Sequence, residues 1–289
     1  MQSIIDNITE WLKGILIDGI MGNLSGMFDT VNQQVGSVAV EVGKTPLQWN
    51  SGVFTMIRDI SETVIIPIAG LILAFVMCYE LIQMVIDRNN LHEIDTWMFF
   101  KWIFKTFVAV LIVTNTFNIV MGIFDVAQHV VNQSAGVIIS ETNIDLASVL
   151  PDLETRLQAM ELGPLFGLWF QSIFIGVTMS ALTICVFIVI YGRMLEIYLM
   201  TSLGPIPLAT MANKEWGAMG QNYLKSLLAL GFQAFLIMVC VGIYAVLVKT
   251  IATDTDISAA IWTCMGYTVL LCFALFKTGS LSKSIFNAH

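Results

Sequence analysis

Long runs of uncharged, mostly apolar residues recur along the chain and predict its membrane-crossing helices. A helix needs about 20 apolar residues to cross a hydrocarbon layer about 30 Å thick. We therefore predict an all-α, polytopic membrane protein with about five transmembrane helices, in a domain that covers residues 63–289. The runs without Asp, Glu, Lys or Arg are Thr63–Tyr79, Thr106–Phe124, Leu162–Gly192, Ser226–Val248 and Ile257–Phe276.

The third run continues beyond the length that a bilayer requires. Apolar sequence resumes after Arg193 and Glu196, and one helix over Leu165–Ser202 would be about 57 Å long at 1.5 Å per residue. A turn at Gly204, Pro205 and Pro207 should end it, because proline disfavours helical backbone in the residue before it. We expect an unbroken helix up to this turn, with Arg193 and Glu196 as an ion pair on one face. The alternative is a half-membrane hairpin within residues 194–211.

The first 62 residues are predicted to form an extracytoplasmic segment outside the five-span domain. Apolar residues recur at helical spacing within residues 1–28, but charged residues interrupt them, which is typical of an amphipathic helix on a membrane surface or on a partner helix. Residues 22–51 are rich in Gly, Asn, Gln, Ser and Thr, and we interpret them as a loop with at most one short helix. The apolar positions of the amphipathic helix are Ile4, Ile8, Trp11, Leu12, Ile15 and Leu16.

Two polar regions flank the second predicted span, which we place at Trp102–Phe124. Aromatic and lysine side chains precede it, and such side chains anchor helices at the depth of the lipid headgroups. Residues 125–162 follow it as an outer polar loop, in which Pro151–Leu162 has the pattern of a surface helix. The predicted interfacial anchors are Trp97, Lys101, Trp102 and Lys105.

Charge predicts the orientation and argues against one class of function. The 21 acidic residues outnumber the 13 lysines and arginines, which leaves no cationic patch of the kind that holds nucleic acid. Because Lys and Arg mark the cytoplasmic side, their distribution places the N-terminus outside and the C-terminus in the cytoplasm. The loops rich in cations carry Arg88, Lys101 and Lys105, and then Arg193, Lys214 and Lys225, whereas the loops between them carry only Arg156 and Lys249.

Candidate chemistry is sparse. The sequence contains no His-Glu-x-x-His, no Gly-x-Ser-x-Gly and no phosphate-binding glycine-rich loop, so we predict neither an enzyme nor a bound cofactor or metal. Glu80 is interpreted as an interfacial carboxylate that either snorkels to the membrane surface or pairs with a loop cation, rather than as part of a transport path. Polar and small residues within the spans could either hold helices together or line a wet lumen. They are Asn115, Asn118, Gly176, Ser180 and Thr183.

The centre of the chain resembles a known family. Residues 191–196, Tyr-Gly-Arg-Met-Leu-Glu, and residues 203–209, Leu-Gly-Pro-Ile-Pro-Leu-Ala, are similar to the long third helix and Gly-Pro turn of the TrbL-type polytopic subunit of conjugative type IV secretion systems, in the branch found in Gram-positive mobile elements. The resemblance extends over most of the chain from about residue 50. Its motifs are hydropathy and one turn, without catalytic residues.

The resemblance implies a non-enzymatic subunit of a DNA and protein export channel in the bacterial plasma membrane. It further implies homo-oligomeric rings that work with other secretion-system subunits, including ATPases, and that make at most transient contact with translocated DNA or protein. Gly176, Ser180 and Thr183 would form the face on which neighbouring copies pack. The alternatives are an oligomeric channel or small-solute transporter unrelated to conjugation, and a structural membrane scaffold.

Overall fold

The computed structural model describes residues 2–86, 96–251 and 256–288, in which helices and short turns but no strands occur. Arg88, which contributed to the predicted orientation, lies outside these residues. The helices are α1 (Gln2–Val42), α2 (Pro46–Trp49), α3 (Ser51–Ile60), α4 (Ile66–Ile86), α5 (Thr96–Thr114), α6 (Thr116–Thr142), α7 (Leu146–Gln158), α8 (Leu162–Leu203), α9 (Pro205–Thr210), α10 (Gly217–Ile251) and α11 (Ile257–Ile285).

Five helical segments in the described part of the chain are long and apolar enough to cross a membrane, which confirms the predicted all-α polytopic class. The third is α8, an unbroken helix of 42 residues that ends immediately before Gly204, as expected. The five segments are Ser51–Ile86, Thr96–Thr114, Leu162–Leu203, Gly217–Ile251 and Ile257–Ile285.

The first segment contains a π-helical turn over Ser61–Ile65, which joins α3 to α4. The backbone N–H of Ile66 donates to the carbonyl of Ser61, five residues earlier. Pro67 follows as the second residue of α4 and has no N–H to donate. The wider turn before it relieves the clash that a proline ring otherwise makes with the preceding helical turn, so the helix continues through the proline.

The prediction for the N-terminal region is wrong in its second half, because α1 is one helix of 41 residues rather than a short helix and a loop. Its buried positions recur at intervals of three and four residues, and this apolar spacing outweighs the polar composition around them. They include Ile17, Ile20, Leu24, Met27, Val31, Val35, Val38 and Val42.

The second span and the insertion after it also differ from expectation. The span begins at Thr96 and its helix is interrupted at Asn115, whose side-chain amide competes for the carbonyl of Leu111, 2.9 Å away. Residues 125–142, predicted as the first part of the outer polar loop, are instead helical and continue α6. The expected surface helix begins earlier, at Leu146, where Asp145 caps it by accepting from the N–H of Ala147.

The chain divides into two compact units. The first unit contains α1, α7 and parts of α6, α8, α10 and α11, and the second contains α2–α5, α9 and the remaining parts of the long helices. The N-terminal segment predicted to end at residue 62 is thus divided between them. The first unit is Met1–Val42, Val131–Ile190 and Leu236–Thr278, and the second is Gly43–Val130, Tyr191–Phe235 and Gly279–His289.

Within the first unit, α1 runs parallel to the beginning of α8. Asn23 Nδ2 donates to Ser172 Oγ at 2.8 Å, and eleven residues further along both helices Gln34 Nε2 donates to Thr183 Oγ1 at 3.0 Å. Both pairs are separated by 149 residues in sequence. Two contacts with one constant offset require parallel helices in a fixed register.

Within the second unit, α4 and α5 form a hairpin against which α9 packs. Their shared core consists of small and aliphatic side chains, and Trp102 closes it by donating its indole N–H to the carbonyl of Met77 at 3.0 Å. The chain therefore returns to the α4–α5 hairpin directly after the turn at Gly204. The buried members are Ala69, Leu73, Val76, Met77, Ala109, Val113, Ala209 and Ala212.

Candidate functional site

A groove of about 270 Å³ lies between α1 and α8 in the first unit. Small residues at helical spacing line both walls, Gly22 and Gly26 on α1 and Gly176 and Ser180 on α8. A methyl group added at Gly22, Gly26 or Gly176 would meet no atom within 4 Å. Small residues allow two helices to pack closely, but here α1 and α8 remain far enough apart to leave a groove between them.

The polar groups that line this groove are bonded within the protein. The hydroxyls of Thr30, Ser180 and Thr183 each donate to a carbonyl one turn earlier on their own helix. Asn23 bonds to Ser172, and Thr183 also accepts from Gln34. Since these groups already have partners, the groove can be covered without leaving them unpaired.

The structure brings together three of the five residues that we predicted to pack helices or line a lumen. Gly176, Ser180 and Thr183 share the α8 face of the groove, opposite α1 of the same chain. Asn115 lies in the second unit, where its amide bonds to its own helix. Asn118, three residues after Asn115 and near the beginning of α6, is exposed.

Arg193 does not bond to Glu196, which corrects the predicted ion pair. Its Nε donates to the backbone carbonyl of Leu230 on α10 at 2.9 Å, and its Nη1 is buried with no hydrogen-bond partner in the described ranges 2–86, 96–251 and 256–288. The residue is only 6% exposed. A buried guanidinium held by a single carbonyl is costly and is typical of a residue retained for function inside a membrane-spanning segment.

Glu196 instead bonds to Lys283 near the end of α11, with an Nζ–Oε1 distance of 2.7 Å. Both side chains are 43% exposed, so the pair contributes little to stability on its own. It nevertheless draws the acid away from Arg193, three residues earlier on the same helix. Ser282, the residue before Lys283, bonds α11 to α10, because its Oγ donates to the carbonyl of Ala229 at 2.6 Å.

The predicted turn is present, but close packing rather than an unusual backbone conformation requires its glycine. Gly204 has φ −50° and ψ −39°, which any residue can adopt. A methyl group there would collide with Tyr223 Oη and lie 2.9 Å from Thr116 Cγ2. Close packing therefore requires the glycine, while Pro205 begins α9 at a position where no helical N–H is needed. Pro207 lies within α9, and its carbonyl accepts from Thr210 Oγ1.

A polar cluster holds the segment after α9 against the α4–α5 hairpin. Glu80 is paired with Lys105, in agreement with the second of its two interpretations, and its other oxygen accepts from Asn213 Nδ2 at 2.7 Å. Asn213 Oδ1 in turn accepts from the backbone N–H groups of Glu215 and Trp216. The carboxylate is 13% exposed, so the bonds replace most of its water contacts.

Aromatic and amide side chains extend this cluster along α4. Tyr79 Oη donates to Glu215 Oε2 at 3.2 Å, and Gln83 Nε2 donates to Oε1 of the same carboxylate at 2.8 Å. The indole ring of Trp216 stacks on Tyr79 and Phe75, with ring centroids 5.6 and 5.7 Å apart. Sequence reasoning missed Asn213 and Glu215, because more than 130 residues separate them from their partners on α4.

Two of the four predicted interfacial anchors are exposed and two belong to the hairpin. Trp97 is 61% exposed, and the ammonium of Lys101 lies 5.8 Å from the centre of its ring. Trp102 instead bonds to Met77, and Lys105 to Glu80. The side of α5 that carries Trp102 and Lys105 therefore contributes to packing rather than to free anchoring.

No group of three or more His, Cys, Asp or Glu side chains within residues 2–86, 96–251 and 256–288 is placed to hold a metal ion.

A comparison with protein families matches residues 31–205 to the family described as TrbL/VirB6 plasmid conjugal transfer like protein. The match covers more than half of the chain and extends from Val31, in the last third of α1, to Pro205, the first residue of α9. Neither a curated protein nor a solved structure matches the chain.

Proposed function

The chain belongs to the TrbL/VirB6-like family of plasmid conjugal transfer proteins, and from this membership we propose that it is a membrane-embedded channel or scaffold subunit of a conjugative type IV secretion apparatus. The single observation that carries the proposal is the family match over residues 31–205. In this proposal the protein assists the export of DNA and protein and catalyses no reaction itself.

The shape of α8 supports a role in assembly. Its 42 residues exceed what one crossing of a bilayer requires, and α1 accompanies it in a fixed register along its first half. A polar helix bonded to a long span adds rigidity along its length. Rigid, elongated elements suit a subunit that is held in a larger assembly and connects both sides of a membrane.

We further propose that the protein forms homo-oligomers in the bacterial plasma membrane. The five spanning segments in the described part of the chain are few for a pore within one chain, and copies of the whole chain would supply the symmetry of a ring. Other secretion-system subunits, including ATPases, would complete the apparatus. The excess of 21 acidic over 13 basic residues favours transient contact with translocated DNA over retention.

Gene deletion in a donor strain tests this function. Loss of the protein should abolish transfer of the mobile element, and wild-type protein supplied from a second locus should restore it. Growth and solute uptake by the donor should stay unchanged. Undiminished transfer by the deletion strain, or a defect confined to solute uptake, would overturn the proposal in favour of an unrelated channel or transporter.

A further inference from the structure

The first turns of α1 carry an apolar stripe that no other part of the described chain covers. Its side chains are between 37% exposed, for Leu12, and 66% exposed, for Trp11. The stripe begins just before the first charged residue, Asp6, and ends before the first buried one, Leu16. Its members, called the N-terminal stripe below, are Ile4, Ile5, Ile8, Trp11, Leu12 and Ile15.

The register between α1 and α8 explains why this stripe is uncovered. Extended towards the N-terminus, the offset of 149 residues places Leu162, the first residue of α8, beside Lys13. The preceding residues of α1 therefore extend about 15 Å beyond the beginning of α8. Since α1 is one continuous helix, the stripe cannot fold back onto the groove between α1 and α8.

A lipid surface does not fit this stripe. An amphipathic helix that binds a membrane lies in the plane of the interface, whereas α1 runs parallel to α8, a membrane-spanning segment. Interfacial helices also carry Lys and Arg on the polar face, where this helix has Asp6, Glu10 and one cation, Lys13. Direction and charge both disfavour lipid as the occupant.

The spacing of the stripe fits a parallel bundle of identical helices. Ile4, Ile8, Trp11 and Ile15 are separated by four, three and four residues, which are the spacings of the core positions in a coiled coil. Ile5 and Leu12 widen the apolar face, as in helices that pack in bundles rather than in pairs. Asp6, Glu10 and Lys13 fall outside this face, so packing would bury no charge.

Membrane insertion fixes the direction of the helices. All copies that are inserted in one orientation have α8, and with it α1, running the same way. Parallel packing then places each stripe residue beside the same residue of the next copy. A segment of twelve residues is marginal as an isolated helix, but here it continues a helix whose later turns are packed in the first unit.

We propose that the N-terminal stripe packs against the same stripe of other copies of this chain and forms a parallel helical bundle at one end of the assembly. This inference rests on the proposed homo-oligomeric function and identifies one of its interfaces. The bundle lies beyond the N-terminal end of α8. The occupant is therefore this chain itself.

Cysteine cross-linking in native membranes tests the bundle. In a full-length variant whose five native cysteines are replaced by Ala, Ile8→Cys should give a disulfide-linked dimer as the major species after mild oxidation. Lys13→Cys, on the opposite face of the same helix, is the matched control and should give little dimer. Equal yields at the two positions, or no dimer at Ile8→Cys, would overturn the inference.

Native mass spectrometry in mild detergent separates failure of the inference from failure of the proposed function. Ile8→Glu with Ile15→Glu should shift the protein to lower oligomers, whereas Asn7→Glu with Lys13→Gln changes the net charge equally and should leave the oligomer intact. An oligomeric wild type that the stripe substitutions leave unchanged contradicts the bundle alone. A strictly monomeric wild type contradicts both the bundle and the homo-oligomer.

Discussion

Arg193 Nε lies 2.9 Å from the backbone carbonyl oxygen of Leu230, so that a buried guanidinium on α8 is bonded to the backbone of α10. Its Nη1 has no partner among the described residues, and the nearest acid along its own helix, Glu196, is bonded to Lys283. Within the described part of the chain, this buried charge on a membrane-spanning segment therefore has no ion-pair partner. Such an arrangement opposes stability and points to a requirement of function.

Replacing Arg193 by methionine should separate stability from function. Methionine fills a similar space without the buried charge, so we expect the melting temperature in detergent to stay the same or to rise. Donor cells carrying Arg193→Met should nevertheless transfer DNA less efficiently than the wild type. Arg193→Ala is the control, because it also removes the charge but leaves a cavity that should lower the melting temperature.

A methionine variant that melts as early as the alanine variant would show that the guanidinium stabilises the fold. In that case, the hydrogen bond from Arg193 to the carbonyl of Leu230 stabilises the fold by more than the burial of the guanidinium charge destabilises it. Normal DNA transfer by a stable methionine variant would remove the functional argument for Arg193.

Asn213→Ala should loosen the segment between α9 and α10. Asn213 donates to Glu80 and accepts from two backbone N–H groups, so its loss removes three hydrogen bonds, one of them to a charged group worth about 1.5–3 kcal/mol. We expect a lower melting temperature and faster proteolysis or amide exchange within residues 211–217. Lys214→Ala, an exposed position in the same segment, is the matched control and should change neither.

Glu80→Gln should reproduce part of the Asn213→Ala effect, because the neutral amide no longer pairs with Lys105. If Asn213 acts through Glu80, the combined substitution should cost less than the sum of the two single ones. Additive effects would instead assign the role of Asn213 to its bonds with the backbone of Glu215 and Trp216.

Gly220→Ala should destabilise the protein at the contact between α9 and α10. A methyl group at Gly220 would lie 2.5 Å from the carbonyl oxygen of Pro207 and would collide with the Met211 side chain. Such overpacking typically costs about 1–3 kcal/mol. At Gly192, which has open space around it on α8, alanine should be neutral or stabilise the helix by about 0.5–1 kcal/mol. Equal melting temperatures for the two variants would contradict this packing.

The sequence was sufficient to predict α8, because a long apolar run and a Gly-Pro turn are both local signals. It was insufficient for α1, where Gly22, Asn23 and Gly26 indicated a loop. Those residues form a helix because the apolar residues next to them, such as Leu24 and Met27, are buried in the first unit. Tertiary packing thus overrode local propensity.

Pairing between distant residues could not be predicted from the sequence. Glu80 was recognisable as an acid that needs a cation, and Lys105 is close enough in sequence to be considered. Asn213 follows Glu80 by 133 residues and looks like an ordinary loop residue until α9 returns the chain to the hairpin. Arg193 and Glu196 had a local pairing available, and partners from α10 and α11 displaced it.

Labelling of single cysteines should establish the orientation that the lysines and arginines predict. Ser148 lies exposed on α7 and Ser284 lies exposed near the end of α11, so that a cysteine at either position is accessible without disturbing the fold. On a background without native cysteines, Ser148→Cys should react with an impermeant maleimide in intact cells. Ser284→Cys should react only after lysis, because the cation-rich segments belong on the cytoplasmic side. Labelling of both positions from outside would refute an extracellular N-terminus combined with a cytoplasmic C-terminus.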